Sequence, residues 1–335
     1  MTYRITLASG EAFDVAQDED TLLRGALRAG IGLPHECSVG GCGACRFELV
    51  EGSVDTLWDE APGLTERDRK RGKRLACQSK PSGDCTIRVR CDDSYRPVVA
   101  ASKWTATLKA RRAVTADMSE FTFQVPQLAD FRPGQYALLY PVAATGARAY
   151  SMSNLPNAEG LWQFIVRRVP GGAGSNALFD AIEVGEQIVL DGPYGHAHLR
   201  EDSLRDIVCI AGGSGLAPML SIVRGALAQP GTRRVRFFYG ARSQSDLSAL
   251  EALDALASEH TRLRIDAVLS APQSEPPWHG ETGFVHTVVE RELVSSIAEH
   301  EFYFAGPPPM IEAVQEMLML RHRVPFEQIH FDRFV

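Results

Sequence analysis

Long apolar runs are missing from this sequence. None of its 335 residues lies in a stretch approaching the roughly eighteen unbroken apolar side chains that a membrane-spanning helix needs. The opening residues, Met1 to Leu7, alternate like a strand and lack the apolar segment of a signal peptide, so a cytoplasmic protein is expected. An excess of basic charge is missing too. Thirty-five Lys and Arg against 42 Asp and Glu leave a net charge of −7 and a pI near 5.8, which argues against a general nucleic-acid binder. There is no internal repeat and no low-complexity segment. Cysteine is scarce and odd in number, seven in all, which disfavours a secreted disulfide scaffold. What is left is an ordinary globular composition, 44% hydrophobic and 23% charged, long enough for two or three domains.

Four of the seven cysteines are patterned. Cys37, Cys42 and Cys45 read C-x4-C-x2-C, and Cys77 follows thirty-two residues after Cys45. That is the thiolate set of a plant-type [2Fe-2S] cluster. Bridging sulfides carry negative charge and require close approach of backbone N–H groups, which Gly40, Gly41, Gly43 and Ala44 permit because they have little side chain. Zinc is the alternative, but structural zinc usually pairs two C-x2-C knuckles and only Cys42 and Cys45 form one. A redox C-x-x-C would use two cysteines beside a βαβ pattern, not four. Cys85, Cys91 and Cys209 lie outside the pattern and read as small core or surface residues.

Along the chain three segments differ in period. Residues 1–95 read as a small α+β unit: a hairpin around Ser9-Gly10, an amphipathic helix from Thr21 closed by Gly30, the cysteine loop, and strands from Arg46 and from Cys85. A basic run, Arg67, Arg69, Lys70, Arg71, Lys73 and Arg74, precedes Cys77. It reads as a solvated helix face or as a docking patch for an acidic electron-transfer partner. After a linker-like stretch around Asp92 to Pro97, residues 102–201 are rich in short strands separated by turns such as Arg132-Pro133-Gly134, which suggests an antiparallel β-barrel. From 204 to 335 buried strands alternate with helical spacing, and a doubly wound parallel α/β sheet is expected.

Two stretches of the barrel segment carry chemistry. Arg148 to Asn154 presents a cation, an aromatic and a hydroxyl at alternating positions on one strand face. The run from Val166 ends in a glycine-rich turn, and Ser175 is expected to N-cap the following helix as an anion site. Singly, each reads equally as a surface pair or a plain cap. In the last segment Gly212, Gly213, Ser214 and Gly215 lie between a buried strand and a helix, a plausible cradle for pyrophosphate.

Residues 1–95 resemble plant-type ferredoxins, with the cysteine motif matching in full. The barrel stretches, taken together, resemble the flavin domain of the ferredoxin-NADP reductase superfamily, with its R-x-Y-S-x-x-N and G-x-x-S motifs. This resemblance implies that Arg148 pairs with the FAD pyrophosphate, that Tyr150 packs on the isoalloxazine ring and that Ser151 hydrogen-bonds near its N5. It also implies that Arg167, Ser175 and the backbone of Gly174 complete the phosphate contacts. The glycine turn is similar to the superfamily's G-G-x-G-x-x-P, and the match continues through Tyr239 to Arg242 and through Gly306, Pro307 and Met310. Where the superfamily has a cysteine before Gly306, this chain has Ala305, so no thiol is expected beside the nicotinamide. By the same resemblance a C-terminal aromatic, Phe331 or Phe334, covers the flavin. Asp246, following Arg242 without a cluster of cations, favours NADH over NADPH.

The three segments together resemble the reductase components of bacterial multicomponent oxygenases, most closely those of toluene monooxygenases. The implied path is NADH to FAD to [2Fe-2S] to a Rieske-type ferredoxin or an oxygenase, carried by a monomer that neither enters a membrane nor binds nucleic acid. The alternatives are the reductase of a benzoate-type dioxygenase or a phenol hydroxylase and, in another class, a redox-sensing module without sustained turnover.

Overall fold

The computed structural model describes residues 1–334. The chain divides into two compact units, Met1–Lys103 with Asp191–Gly195, and Trp104–Leu190 with His196–Phe334.

In the first unit, β1 (Thr2–Leu7) and β2 (Ala12–Ala16) form the expected hairpin, turning at Gly10 with φ +100°. Alternation sends Ile5, Leu7, Phe13 and Val15 inward, all under 5% exposed. Helix α1 (Leu22–Arg28) starts where the Thr21 hydroxyl accepts the Arg24 N–H, and its buried Leu22, Leu23, Ala26 and Leu27 lie on the sheet. Each buried leucine stabilises the unit by about 1.5–3 kcal/mol. Then come β3 (Arg46–Glu51), β4 (Val54–Thr56), α2 (Glu66–Lys70), β5 (Lys73–Leu75), β6 (Ser79–Pro81) and β7 (Cys85–Arg88). The main sheet runs β2-β1-β7-β3-β5, and β4 pairs with β6.

The second unit opens with an antiparallel sheet of β8 (Ser102–Ala113), β9 (Met118–Gln124), β10 (Tyr136–Tyr140), β11 (Arg148–Ser151), β12 (Leu161–Arg167) and β13 (Gln187–Tyr194), with α3 (Ala173–Asp180) between the last two. Its order is β11-β10-β13-β8-β9-β12, and a bridge from Met152 to Phe164 draws the two edges together into a nearly closed barrel. Phe121, Phe123, Phe131, Trp162 and Phe164 fill it.

The rest is wholly parallel: β14 (Ile207–Gly212), β15 (Val235–Ala241), β16 (Leu263–Leu269), β17 (Glu281–Thr282), β18 (Glu301–Gly306) and β19 (Ile329–Arg333), ordered β17-β16-β15-β14-β18-β19. Helices α4 (Leu216–Ala228) and α5 (Glu251–Glu259) cover one face, where Cys209 and Ala211 point. Helices α6 (Val285–Leu293) and α7 (Pro308–Gln315) cover the other, with Val208 and Ile210. Burial on both faces explains why β14 reads as a continuous apolar run. The strand order reverses between β14 and β18, which opens a crevice beyond their carboxyl ends.

Candidate functional site

The cysteine loop is held by backbone packed on backbone. Gly43 has φ +78°, and a Cβ there would lie 2.4 Å from the Gly63 carbonyl oxygen; Gly63 in turn donates its N–H to the Gly40 carbonyl at 2.9 Å. Within the loop the N–H groups of Gly41 and Cys42 reach Cys37 Sγ at 3.3 Å each, and that of Ala44 reaches Cys42 Sγ at 3.4 Å. Cys45 Sγ and Cys77 Sγ stand 3.3 Å apart, both buried. The thiols thus fall into two pairs, Cys45 with Cys77 in direct contact and Cys37 with Cys42 joined through the Cys42 N–H. The Cys42 thiol and the loop N–H groups bring Cys37 down to about 6, and Cys42 is pushed up by the same contact. Likewise Cys77 lowers Cys45 and is itself raised.

This donor set fits a two-iron cluster. Among the described residues no three His, Cys, Asp or Glu side chains converge on a point that could hold a single ion. Two pairs, with N–H groups directed at sulfur, are what two irons taking two thiolates each require, whereas zinc needs four ligands around one centre.

The basic run before Cys77 is largely engaged. Lys70 pairs with Glu66, Lys73 with Glu48, Arg74 donates to Thr56, and Arg69 donates to the carbonyls of Asp59 and Ala61. Arg67 and Arg71 alone of the run have side chains without a partner among the described residues.

In the barrel, β11 lies antiparallel on β10, with Ser151 opposite Tyr136 and Tyr150 opposite Ala137. The two-residue alternation puts Arg148 and Tyr150 on one face and Ser151 on the other, which corrects the expectation of a single shared face. Tyr150 packs on the barrel core, and burial pushes its hydroxyl up to about 12. Neither its hydroxyl nor that of the buried Ser151 has a hydrogen-bond partner among the described residues.

Ser175 is not the N-cap. Helix α3 is capped at Gly172, which offers no side chain, and Ser175 Oγ instead accepts the Val169 N–H at 3.1 Å and closes the turn. The first N–H groups of α3 therefore remain open to an anion. The stem of Arg148 crosses this helix start, so that a Cβ on Gly174 would lie 2.6 Å from Arg148 Cγ. The Arg148 guanidinium bonds the carbonyls of Thr145 and Ala147 at 3.1 and 3.0 Å. An aromatic face, free hydroxyls and a cation beside an uncapped helix start suit a flavin dinucleotide.

Arg167 ends β12, pairs with Asp117 at 2.6 Å, and reaches the glycine turn after β14, its Nη1 3.5 Å from where a Gly213 Cβ would be. That turn packs directly on the one after β18. A Cβ on Gly215 would meet the Ala305 carbonyl oxygen at 2.0 Å, and one on Gly212 would meet Met310 Sδ at 2.7 Å. Gly306, at φ +153°, lies against Gly212, and α7 begins with Pro308 at its first position after Pro307. The structure therefore unites Gly212, Gly213, Ser214 and Gly215 with Gly306, Pro307 and Met310 at the switch point. Arg242 lies at the end of β15 with its side chain exposed, while Asp246 accepts the N–H groups of Arg242 and Ser243 at 3.1 Å each and closes that turn.

The two C-terminal aromatics separate. Phe331 stacks on Phe304 at 5.3 Å and 18° within the core under α6 and α7. Phe334 packs against the opposite cluster, which contains Ala305, and donates its N–H to the Gly306 carbonyl at 3.1 Å.

Sequence reasoning missed Ser221 and Arg224 on α4. Ser221 Oγ donates to the Asn154 carbonyl and Arg224 Nη1 to the Ser153 carbonyl, each at 2.7 Å. Their signal was only two polar residues on a helix that is otherwise almost wholly apolar. Gly63, which packs on Gly40 and Gly43, was likewise not singled out.

Comparison with known proteins agrees with this geometry. The chain matches a 2Fe-2S iron-sulfur cluster binding domain over residues 5–82, an oxidoreductase FAD-binding domain over 105–199 and an oxidoreductase NAD-binding domain over 209–316. It is 40% identical over 327 residues to the ferredoxin–NAD(P)+ reductase CarAd of Metapseudomonas resinovorans, covering 97% of this chain and 98% of that protein. It is 34% identical to the xylene/toluene monooxygenase electron transfer component XylA of Pseudomonas putida, covering 94% of this chain and 88% of that protein. A solved ferredoxin reductase of carbazole 1,9a-dioxygenase superposes with a TM-score of 0.91 at 37% identity, covering 100% of this chain and 99% of that one. No described helix is long and apolar enough to cross a membrane. The chain belongs to the family of ferredoxin–NAD(P)+ reductases, with [2Fe-2S], FAD-binding and NAD-binding domains, that are the reductase components of multicomponent oxygenases.

Proposed function

We propose that this chain passes electrons from NADH through FAD and a [2Fe-2S] cluster to a Rieske-type ferredoxin or an oxygenase of a toluene-type aromatic monooxygenase, acting as a cytoplasmic monomer. The division of labour is 1–95 for the cluster, 102–201 for the flavin and 204–335 for the nicotinamide nucleotide. The observation that carries the reading is the close packing of Gly215 on Ala305, which joins two glycine turns at the point where the strand order reverses.

A bound flavin supplies a group that takes two electrons from NADH and yields them singly. The protein holds and orients. Gly212, Gly213 and Gly215 let the nucleotide diphosphate approach backbone N–H groups, Ser214 adds a hydroxyl, and Arg242 faces the adenosine end. Gly306, Pro307 and Met310 shape the nicotinamide pocket, with Ala305 leaving its positioning to backbone contacts. Phe334, held at Gly306, would cover the ring face and move aside for nicotinamide, whereas Phe331 is stacked on Phe304 on the other side of the sheet. Tyr150 would exclude water from the flavin, the Ser151 hydroxyl would donate toward N5, and Arg148 with the open N–H groups at Gly174 and Ser175 would take the flavin phosphates. Arg167 adds a cation along the same phosphate-binding edge. Cys37, Cys42, Cys45 and Cys77 would hold the two irons.

A second reading, the reductase of a ring-hydroxylating dioxygenase, is favoured by the similarity to the carbazole dioxygenase reductase. Purified Rieske ferredoxins of the two system types, offered as acceptors with NADH in excess, separate them. The proposal expects the higher kcat/KM with the monooxygenase ferredoxin, and the reverse order would transfer the assignment to the dioxygenase type. Absence of turnover with either would leave neither reading standing.

A further inference from the structure

Helix α4 begins immediately after the nucleotide turn and is also bonded to the barrel. Its contacts fall in two places. Gly225 lies so close to the turn at Pro133 that a Cβ there would come within 2.8 Å of Pro133 Cγ, and Ile222 Cδ1 lies 2.9 Å from where a Gly134 Cβ would be. The second place is the chain just beyond Ser151. There Ser221, fully buried, and Arg224 donate to two consecutive carbonyls, those of Asn154 and Ser153.

The same short stretch is pinned from its other side. The Ser153 N–H bonds the Gln163 carbonyl, and the Asn154 side chain donates to the Leu155 and Leu161 carbonyls and accepts the Gln163 N–H. Residues 153 and 154 are therefore fixed to the barrel through the Ser153 N–H and the Asn154 side-chain amide, and to α4 through their carbonyls. Ser221 lies six residues past Gly215, about 9 Å along the helix at 1.5 Å per residue. Ser153 lies two residues past Ser151.

We propose that Ser221 and Arg224 are positioning residues for hydride transfer, fixing the strand that carries Tyr150 and Ser151 at a set distance from the turn at Gly212 to Gly215. This rests on the assignment of flavin and nicotinamide nucleotide to those two places made above. Neither residue touches a reacting group. They act through two backbone carbonyls, and the arrangement has a physical rationale: a rigid helix starting at one reactant's site and bonded beside the other's sets their separation without a flexible intermediary. Transfer between bound reactants is steeply sensitive to that separation, a misplacement of about 1 Å costing up to 100-fold in rate. Arg224 is stiffer than a lysine would be, because its planar group is pre-organised for the carbonyl.

The test is anaerobic rapid mixing of the FAD-loaded full chain with NADH, following flavin bleaching over a range of NADH concentrations, with NADH deuterated at the transferred position as a second substrate. Ser221→Ala is expected to lower the limiting rate by about 3- to 10-fold and Arg224→Gln by about 10-fold. NADH affinity and bound FAD should stay within about twofold and the primary isotope effect should rise, a change that a merely structural role would not produce. Arg224→Lys, which keeps a donor, should recover part of the rate. Limiting rates within twofold of wild type in both Ser221→Ala and Arg224→Gln would overturn the proposal. So would a fall in rate that only tracks loss of FAD with the isotope effect unchanged. Failure of the wild-type chain itself to be bleached by NADH would instead overturn the site assignment on which the proposal rests.

Discussion

Gly43 of the cysteine loop has φ +78°, whereas Gly215 of the nucleotide turn has φ −58°, a helical value open to any residue. At Gly43 a side chain is opposed twice, by backbone conformation and by the Gly63 carbonyl 2.4 Å from the Cβ position. At Gly215 the objection is contact alone, with the Ala305 carbonyl at 2.0 Å. The cluster loop thus uses glycine to bend a short segment around its own thiols. The crevice uses it to let two segments ninety residues apart in sequence meet backbone to backbone. One site is made locally and the other by the topology of a sheet.

The contrast can be broken at either end. The largest effect is expected from Cys77→Ser, which removes a ligand supplied from outside the loop. The cluster EPR signal should vanish and electron delivery to a one-electron protein acceptor should fall by roughly 100-fold or more, since a hydroxyl is a poor ligand for iron in such a cluster. NADH oxidation by ferricyanide, which draws on the flavin, should persist. Retention of protein-acceptor turnover would break the assignment of the exit.

Next in size is Gly215→Ala. Backbone lies on both sides of the contact, so relief requires moving a strand, and overpacking of this kind costs about 1–3 kcal/mol and sometimes more. Thermal unfolding of the second unit should fall and the apparent KM for NADH should rise. Gly43→Ala should cost a similar amount locally, read as lowered iron content rather than a lowered Tm of the second unit. Gly10→Ala isolates the conformational part: it has φ +100° but nothing within 4 Å of its Cβ, so about 1 kcal/mol is expected with iron content unchanged. Equal loss of iron at Gly10 and Gly43 would mean that strain, and not the Gly63 contact, shapes the loop.

A smaller effect belongs to the second unit alone. His198 is held down to about 4 by burial and by the neighbouring Arg200 charge. An unfolded histidine takes a proton near pH 6.5, so the unfolded state binds more protons as pH falls from there toward 4, and stability must fall over that window. Allowing for partial exposure, the loss is on the order of 1–2 kcal/mol. His198→Gln should flatten the denaturation midpoint between pH 6.5 and 4, and an unchanged slope would remove His198 from the account. The smallest effect is expected from Arg67→Glu with Arg71→Glu. The side chains of these two cations, unlike the rest of their run, have no partner among the described residues, and reversing them should slow transfer to an acidic acceptor only a few-fold at low salt.

The difference between the two sites also governs what could be read in advance. Cys37, Cys42 and Cys45 are legible because three ligands fall within nine residues, and the parallel sheet is legible because its central strand β14, buried on both faces, reads as an unbroken apolar run before a glycine turn. Gly63 was not, because its partners Gly40 and Gly43 are backbone atoms that carry no side-chain signature. Ser175 was misread as a cap because its hydroxyl turns back to Val169, and Gly172, with no side chain at all, occupies the cap position. Ser151 was placed on the face of Tyr150 although a strand alternates. Phe331 and Phe334 are indistinguishable in sequence three residues apart; only the register of β19 on β18, which sets Phe331 against Phe304, separates them. Ser221 and Arg224 were invisible because what they bind is a pair of carbonyls.

The central claim, that electrons entering at the crevice leave through the four thiols, is tested most directly by an anaerobic NADH titration of the reconstituted chain. Visible absorbance and low-temperature EPR would follow each addition. The account predicts bleaching of both flavin and cluster bands with a rhombic [2Fe-2S] signal that grows as NADH is added. Bleaching of the flavin without any cluster signal would contradict it, and the chain would then be a flavin reductase with no exit at Cys37, Cys42, Cys45 and Cys77.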